Sequence, residues 1–320
     1  MSALVLPGAA VDPRELDGGE ASLTRFLRSL PGVDRVGLEA RTARLATRSL
    51  KHDTKRALID VAISTMDLTT LEGADTPSRV RSLCARALRP DPADASVPHV
   101  AAVCVYSDLV PTAVDALAGS GVLVAAVATA FPSGRASLAI KLADTGDAID
   151  AGADEIDMVI DRGAFLSGDD QRVFEEIAAT KAACGNARLK VILETGELGT
   201  LDNIAAASRL AIHAGADFIK TSTGKIQPAA TPETTLVMLE AIREHFLATG
   251  QMVGMKPAGG IRTAKQSLHY LVMLAETLGA DWLSPEWFRF GASSLVNDLL
   301  RQLSRRDTGH YPSPRRFSVD

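Results

Sequence analysis

From about residue 60 onward, short apolar runs that read as β-strands alternate with longer stretches whose apolar residues recur every three or four positions, as in helices. Strand-like runs begin near Val61, Val100, Val122, Glu155, Leu189, Phe218, Met252 and Phe288. Between them, Phe174, Ile177 and Ala178 mark one helical stripe, and Leu236, Leu239, Ile242 and Phe246 mark another. Thr231-Pro232 places an N-cap before a proline at the first helical position. Thr263 followed by Gln266 matches a capping box. Gly-Ala-Asp recurs at Gly152, Gly215 and Gly279, at intervals of 63 and 64 residues, each time after a helix. Each interval fits two strand–helix units, with the glycine ending the helix in the left-handed region.

Eight strands alternating with helices predict an α/β fold, a (β/α)8 TIM barrel with an N-terminal helical extension. An open doubly wound sheet is the runner-up. Polar residues cluster at the C-terminal ends of most strand-like runs, and only a closed ring brings all those ends to one mouth. Residues 1–55 read as the helical extension, 56–300 as the barrel and 301–320 as a C-terminal tail. Arg41, Arg44, Arg48, Lys51, Lys55 and Arg56 read as a solvated helix face rather than an interaction arm.

Composition narrows the class of protein. The 320 residues are 46% hydrophobic but only 4% aromatic, so Ala, Val, Leu and Ile must fill the core, which suits a tight barrel interior. A net charge of -5 argues against nucleic acid or an anionic membrane as partner. No apolar run is long enough to span a bilayer, and the first residues do not read as a signal peptide. Cys84, Cys104 and Cys184 are scattered and odd in number, so a reducing, cytoplasmic setting is expected. The dispersed histidines give no metal-ligand spacing.

Two lysines carry the chemistry. Lys220 ends the run Asp217-Phe218-Ile219-Lys220, and Lys256 ends Val253-Gly254-Met255-Lys256; a glycine-containing turn follows each. Lysine is almost never buried without a partner, so two at inner strand ends call for a reason. Two ammonium groups ~5 Å apart at an effective dielectric of ~20 repel by about 3 kcal/mol. That lowers one lysine pKa by roughly two. Desolvation acts in the same direction, toward the ~7–8 range useful for a nucleophilic amine. The structural alternative is a buried ion pair of one lysine with Asp157 or Asp67, and a carboxylate that holds Lys256 charged is compatible with a neutral Lys220.

Other polar residues sit at strand ends. Alternation places Glu155, Asp157, Val159 and Asp161 on one face. Asp157 is either a structural carboxylate or part of the site. Asp67 follows the first run in Met66-Asp67-Leu68-Thr69-Thr70, and Glu194 and Glu197 end the fifth. Glu194 reads as shaping the pocket, and Glu197 as capping a turn. Gly259-Gly260-Ile261-Arg262 and Gly291-Ala292-Ser293-Ser294 each lead from a strand into a helix. Backbone N–H groups in such places bind phosphate, and barrels often put that site after strands seven and eight. Arg262 and Lys225 add charge. Ser-Thr-Gly-Lys at 222–225 is not a P-loop, because Ile219 stands where the motif needs glycine and Ile226 follows the lysine.

An ordered set of segments resembles the 2-deoxy-D-ribose-5-phosphate aldolases, class I aldolases with a TIM-barrel fold. The segments are Asp-Leu-Thr-Thr-Leu at 67–71, Val-Cys-Val-Tyr at 103–106, Phe-Pro-Ser-Gly at 131–134 and Glu-Ile-Asp at 155–157. Glu-Thr-Gly-Glu-Leu at 194–198, Phe-Ile-Lys-Thr-Ser-Thr-Gly-Lys at 218–225, Lys-Pro-Ala-Gly-Gly-Ile-Arg at 256–262 and Arg-Phe-Gly-Ala-Ser-Ser at 289–294 complete it. The resemblance implies a Schiff base on Lys220, tuned by Lys256. It implies proton transfer through Asp157, with Asp67 in the same network. It implies a sugar phosphate held by Thr223, Gly224, Lys225, Gly259, Gly260, Arg262, Gly291, Ser293 and Ser294. It implies no cofactor and a homodimer or homotetramer. Asp161 stands where the family often has Asn, and Met255 where Phe is common; both are expected to alter pocket shape. The family's C-terminal tyrosine is matched to Tyr311. Another Schiff-base aldolase and a non-catalytic sugar-phosphate-binding barrel are the alternatives.

Overall fold

The computed structural model describes residues 19–50, 52–310, 312 and 317; Tyr311 and Lys51 lie outside them. Seven parallel strands form one sheet in sequence order: β1 (Asp67–Thr69), β2 (Ala102–Tyr106), β3 (Leu123–Ala128), β4 (Glu155–Val159), β5 (Arg188–Ile192), β6 (Phe218–Lys220) and β7 (Gly254–Lys256). The segment 288–291 closes the ring. Arg289 N donates to Met255 O at 3.0 Å on the β7 side; on the β1 side, Phe290 N donates to Thr65 O at 2.8 Å and Asp67 N to Phe290 O at 2.9 Å. These bonds rule out the open sheet. The eighth position is a set of parallel bridges rather than a regular strand. Pro257 lacks an N–H, so the ladder loses a donor just where β7 would continue.

The first strand begins at Asp67, not near Val61. Val61 lies inside helix α3 (His52–Ser64). The buried Ile59, Ala62, Ile63 and Met66 follow the helical i, i+3, i+4, i+7 spacing, which an apolar run alone conceals. Helix α3 also crosses the expected boundary at 55/56. Helix α12 (Leu295–Thr308) likewise crosses the one at 300/301, and its Leu299, Leu300 and Leu303 are buried.

Helices α4 (Pro77–Leu88), α5 (Val110–Leu117), α6 (Leu138–Asp150), α7 (Arg162–Leu166), α8 (Asp170–Ala183), α9 (Leu201–His213), α10 (Pro232–Thr249) and α11 (Ala264–Leu278) follow the strands. The main apolar core lies between them and the sheet. Both capped starts form: Thr231 and Thr263 each make a capping box, with Thr234 and Gln266. On α10, Leu236, Leu239 and Ile242 face the core. On α8 the buried face is Val173, Glu176, Ile177 and Thr180; of the expected stripe Phe174, Ile177 and Ala178, Ile177 lies in the core and Phe174 packs against it partly buried. Gly152, Gly215 and Gly279 have φ of 102°, 99° and 102°. With ψ of 173° at Gly279, that residue occupies an extended region nearly exclusive to glycine rather than the left-handed helical one. No helix among the described residues is long and apolar enough to cross a membrane.

The N-terminal helices α1 (Glu20–Ser29) and α2 (Arg35–Ala46) pack on the outer layer, α1 on α8 and α2 on α10 and α11. Part of the basic stretch is paired: Arg41 with Glu240 and Arg48 with Glu276. These cations tie α2 and the residues just after it to the barrel, through partly exposed pairs that contribute little each.

Inside the ring, the Phe218 ring lies against Gly254 on the neighbouring strand. A Cβ at 254 would stand 2.3 Å from that ring, and Phe218 is fully buried. Gly254→Ala is therefore expected to destabilise the fold by about 1–3 kcal/mol, as overpacking does. Chemical denaturation measures this, and an unchanged midpoint would show that the interior has slack.

Candidate active site

Each strand turns alternate side chains inward, and this places seven charged groups in the barrel. Lys220 and Lys256 end β6 and β7 and are direct partners in the parallel register. Asp157 on β4 lies between them. Lys220 Nζ donates to Asp157 Oδ2 at 2.7 Å and Lys256 Nζ to the same oxygen at 2.8 Å. Lys190 on β5 donates to the other oxygen, Oδ1, at 3.0 Å. Asp67 on β1 makes an ion pair with Lys256 at 2.5 Å, off hydrogen-bond geometry, and accepts from Arg289 Nη1 at 2.7 Å. Glu155 accepts from Lys190 and from both Arg289 terminal nitrogens.

The two sequence alternatives for the lysines hold together here. Burial lowers the Lys220 pKa and the Lys256 charge lowers it further, against the pull of Asp157. Burial alone would lower Lys256 as well, but Asp157 and Asp67 outweigh it and hold that ammonium charged. Burial would raise Asp157, yet Lys190, Lys220 and Lys256 keep its carboxyl well below the usual range. One lysine is thus biased toward the free amine and the other toward the cation, which is the division of labour a nucleophilic amine needs.

A cavity of about 240 Å³ opens above these groups, lined by Lys220, Thr223, Gly224, Lys225, Gly259 and Gly291 among others. Thr69, Thr70, Leu71, Glu72 and Arg79 form the opposite wall. Leu71, Cys104, Ala125 and Val127, with Tyr106 and Phe131, make a separate apolar cluster inside the ring. Lys225 Nζ reaches across to Glu72 Oε1 at 2.8 Å. Thr223 is held by Glu194, through its N–H at 3.1 Å and its hydroxyl. Burial raises the Glu194 pKa.

The remaining expected phosphate residues sit differently. Gly260, Arg262 and Ser294 are exposed and outside the cavity lining. The N–H groups of Arg262 and Thr263 donate to Gln266 Oε1, each at 3.0 Å, and Ala264 N donates to Asp298 Oδ2 at 2.7 Å. The capping box that announces α11 in the sequence therefore occupies the very donors that a phosphate at this helix start would use. Ser293 accepts from Thr69 N at 2.8 Å and donates to Thr69 O at 3.0 Å, bridging the end of β1 to the start of α12.

Two expectations about pocket shape are corrected. Met255 is fully buried but joins the core between sheet and helices, because it alternates with the inward Lys256. The alternation also stops before Asp161, since β4 ends at Val159 and the chain turns. Asp161 caps α7 by accepting from Ala164 N at 3.0 Å and pairs with Arg172 at 2.9 Å. Glu197 pairs with Arg162. Lys190 and Arg289 received no role from the sequence, and Glu155 only a place on the Asp157 face. Each is a charged residue inside an otherwise strand-like run, the same signal that singled out Lys220 and Lys256.

Fold and site together define a parallel β/α barrel whose interior holds paired lysines around a shared carboxylate. The family model for DeoC/LacD family aldolases matches residues 61–301, and the chain belongs to that family. It is 48% identical over 276 residues to the deoxyribose-phosphate aldolase of Mus musculus, covering 83% of this chain and 87% of that protein. It is 47% identical to the one from Homo sapiens with the same coverage. A deoxyribose phosphate aldolase from Aeropyrum pernix, described as tetrameric, shares the fold with a TM-score of 0.59 at 23% identity, over 84% of this chain and 98% of that one.

Proposed function

We propose that this chain reversibly cleaves 2-deoxy-D-ribose 5-phosphate to D-glyceraldehyde 3-phosphate and acetaldehyde through a Schiff base on Lys220. The observation that carries this reading is the sharing of Asp157 Oδ2 by two lysines at the floor of a polar mouth. The neutral Lys220 amine attacks the C1 aldehyde of the open-chain sugar, and loss of water with uptake of one proton leaves an iminium, the proton being released again on hydrolysis. The C3 hydroxyl gives its proton to Asp157 or to a water beside it, and the C2–C3 bond breaks toward the iminium. Glyceraldehyde 3-phosphate departs. The enamine is protonated at carbon and hydrolysed, which frees acetaldehyde and regenerates the amine. Lys256 contributes a fixed positive charge, which Asp67 and Asp157 hold in place. The lysine is itself the electron sink, so the scheme calls for no metal or organic cofactor.

The phosphate end lies toward Gly224, Lys225, Gly259 and Gly291, with Thr223 oriented by Glu194 and with Gly260, Arg262, Ser293 and Ser294 at the rim. Lys225 is the cation that lines the cavity next to Gly224. Lys225→Ala is expected to raise KM for the 5-phosphate about tenfold, the worth of a charge-assisted contact discounted for solvent. The rate on unphosphorylated 2-deoxyribose should stay within about twofold. An equal loss on both sugars would assign Lys225 a purely structural role.

Borohydride trapping with the substrate, read by mass spectrometry, tests the reading. Label on another residue, or active enzyme with no label, overturns it. A donor panel comparing acetaldehyde with ketones separates it from a Schiff-base aldolase of different substrate. A homodimer or homotetramer is the expected assembly, which sedimentation measures directly.

A further inference from the structure

We propose that Lys190, Glu155 and Arg289 form a second charge layer that sets the charge balance of the barrel interior and thereby keeps the Lys220 amine uncharged. The proposal rests on Lys220 as the reacting amine. These three are positioning residues: they act through Asp157 and Asp67.

The interior network holds four basic side chains, Lys190, Lys220, Lys256 and Arg289, and three acidic ones, Asp67, Glu155 and Asp157, all buried to 3% exposure or less. With every group ionised, one positive charge is in excess. An uncompensated buried charge is costly, and loss of one proton removes the excess. Arginine does not give up its proton in proteins. Lys256 lies between two carboxylates, Asp157 and Asp67. Lys190 touches Glu155 and Asp157 and stands 4.0 Å from Asp67. Lys220 has Asp157 alone, through an oxygen it shares with Lys256. It is the least compensated cation, so the proton leaves there.

The remaining walls do not alter the count. From β2, Cys104 faces the lysines, with a thiol that burial pushes up to about 11, so it is uncharged at neutral pH. From β3, Ala125 and Val127 face inward and carry no charge. At the rim, Glu194 is turned to Thr223. The second layer is geometrically tied to the first. Arg289 spans Asp67 and Glu155, and Lys190 spans Glu155 and Asp157. Glu155 joins the two cations, and each cation braces one carboxylate beside the lysine pair.

The consequence has opposite signs for the two partners. Lys190→Met removes a cation, so the protonated Lys220 now balances the interior and its midpoint rises. Glu155→Gln removes an anion, so the midpoint falls. A unit charge ~6–8 Å away at an effective dielectric near 20 moves a pKa by roughly one and a half to two. The double variant restores the count and should return close to the unmodified protein.

The test uses the full chain and two readouts. One is the pH dependence of Lys220 acetylation by acetic anhydride, followed by mass spectrometry. The other is the pH dependence of borohydride trapping with acetaldehyde. Opposite shifts of the single variants, cancelled in the double variant, support the layer. Shifts in the same direction, or none, overturn it, because a general loosening of the barrel would move both alike. If Lys190→Met does not fold, the fall in Glu155→Gln and its reversal in the double variant decide the matter. If trapping falls on another residue while the acetylation midpoints still move oppositely, the Schiff-base reading fails and the charge layer stands. If Lys220 is trapped and its midpoint does not move, the layer alone fails.

Discussion

Lys220→Ala is expected to abolish borohydride-trapped adduct and to lower the cleavage rate on the order of 10⁴-fold or more, as loss of a covalent nucleophile does. The reason is geometric as well as chemical. Lys256 lies on the neighbouring strand and shares the same carboxylate oxygen, but Asp67 and Asp157 hold it as a cation, and an ammonium has no lone pair to offer. It cannot replace the missing amine at neutral pH. Mass spectrometry of the trapped protein, with the intact chain as control, reads this directly. An adduct of similar yield in the variant, carried by Lys256, would sink the assignment of roles. The fold should tolerate the change, because removing Lys220 leaves Asp157 with Lys190 and Lys256 as partners.

Lys256→Met should have the second largest effect, of a different kind. Trapping survives, but its pH midpoint moves up by about two, from the loss of a like charge ~5 Å away at an effective dielectric of ~20. The sign follows from which form reacts. Only the free amine attacks, and its fraction rises with pH through the Lys220 pKa. Deleting the neighbouring cation removes one influence that lowers that pKa. It also leaves Asp157 freer to favour the protonated form. At pH 7 the trapping rate should fall about 100-fold and recover as pH rises. A midpoint that stays in place, or moves down, would show that burial alone keeps Lys220 neutral. The variant also costs stability, since Asp67 loses its ion pair with Lys256 and keeps Arg289 at 2.7 Å with Lys190 at 4.0 Å. Breaking one partner of a buried pair typically costs ~3–5 kcal/mol, so thermal unfolding should be followed alongside.

Local chemistry made much of the fold legible. The strand positions from Val100 to Met252 lie within two residues of the observed starts, because two-residue alternation and apolar runs are properties of neighbouring residues. The caps at Thr231 and Thr263 were readable for the same reason: each motif closes within four residues. The first strand was not. Val61 sits in an apolar run whose helical period appears only when Ile59, Ala62, Ile63 and Met66 are seen buried together. The phosphate positions are expected from two glycine-containing turns. Glycine after a strand marks a tight turn, but whether a helix start is free to bind depends on its own cap. At α11 Gln266 and Asp298 already take those donors.

What the sequence determined by itself was the order of strands and helices, their caps, and two lysines at the mouth-side ends of adjacent strands. All of these depend on residues a few positions apart. The tertiary structure decided that the sheet closes, that Asp157 stands between three lysines, and that Arg289 reaches Glu155 from 134 residues away. Coulomb energy depends on distance in space and on burial, and neither exists until ring closure brings distant strands together. The tendency of Lys220 to be the free amine and of Lys256 to be the cation is therefore a property of the closed barrel.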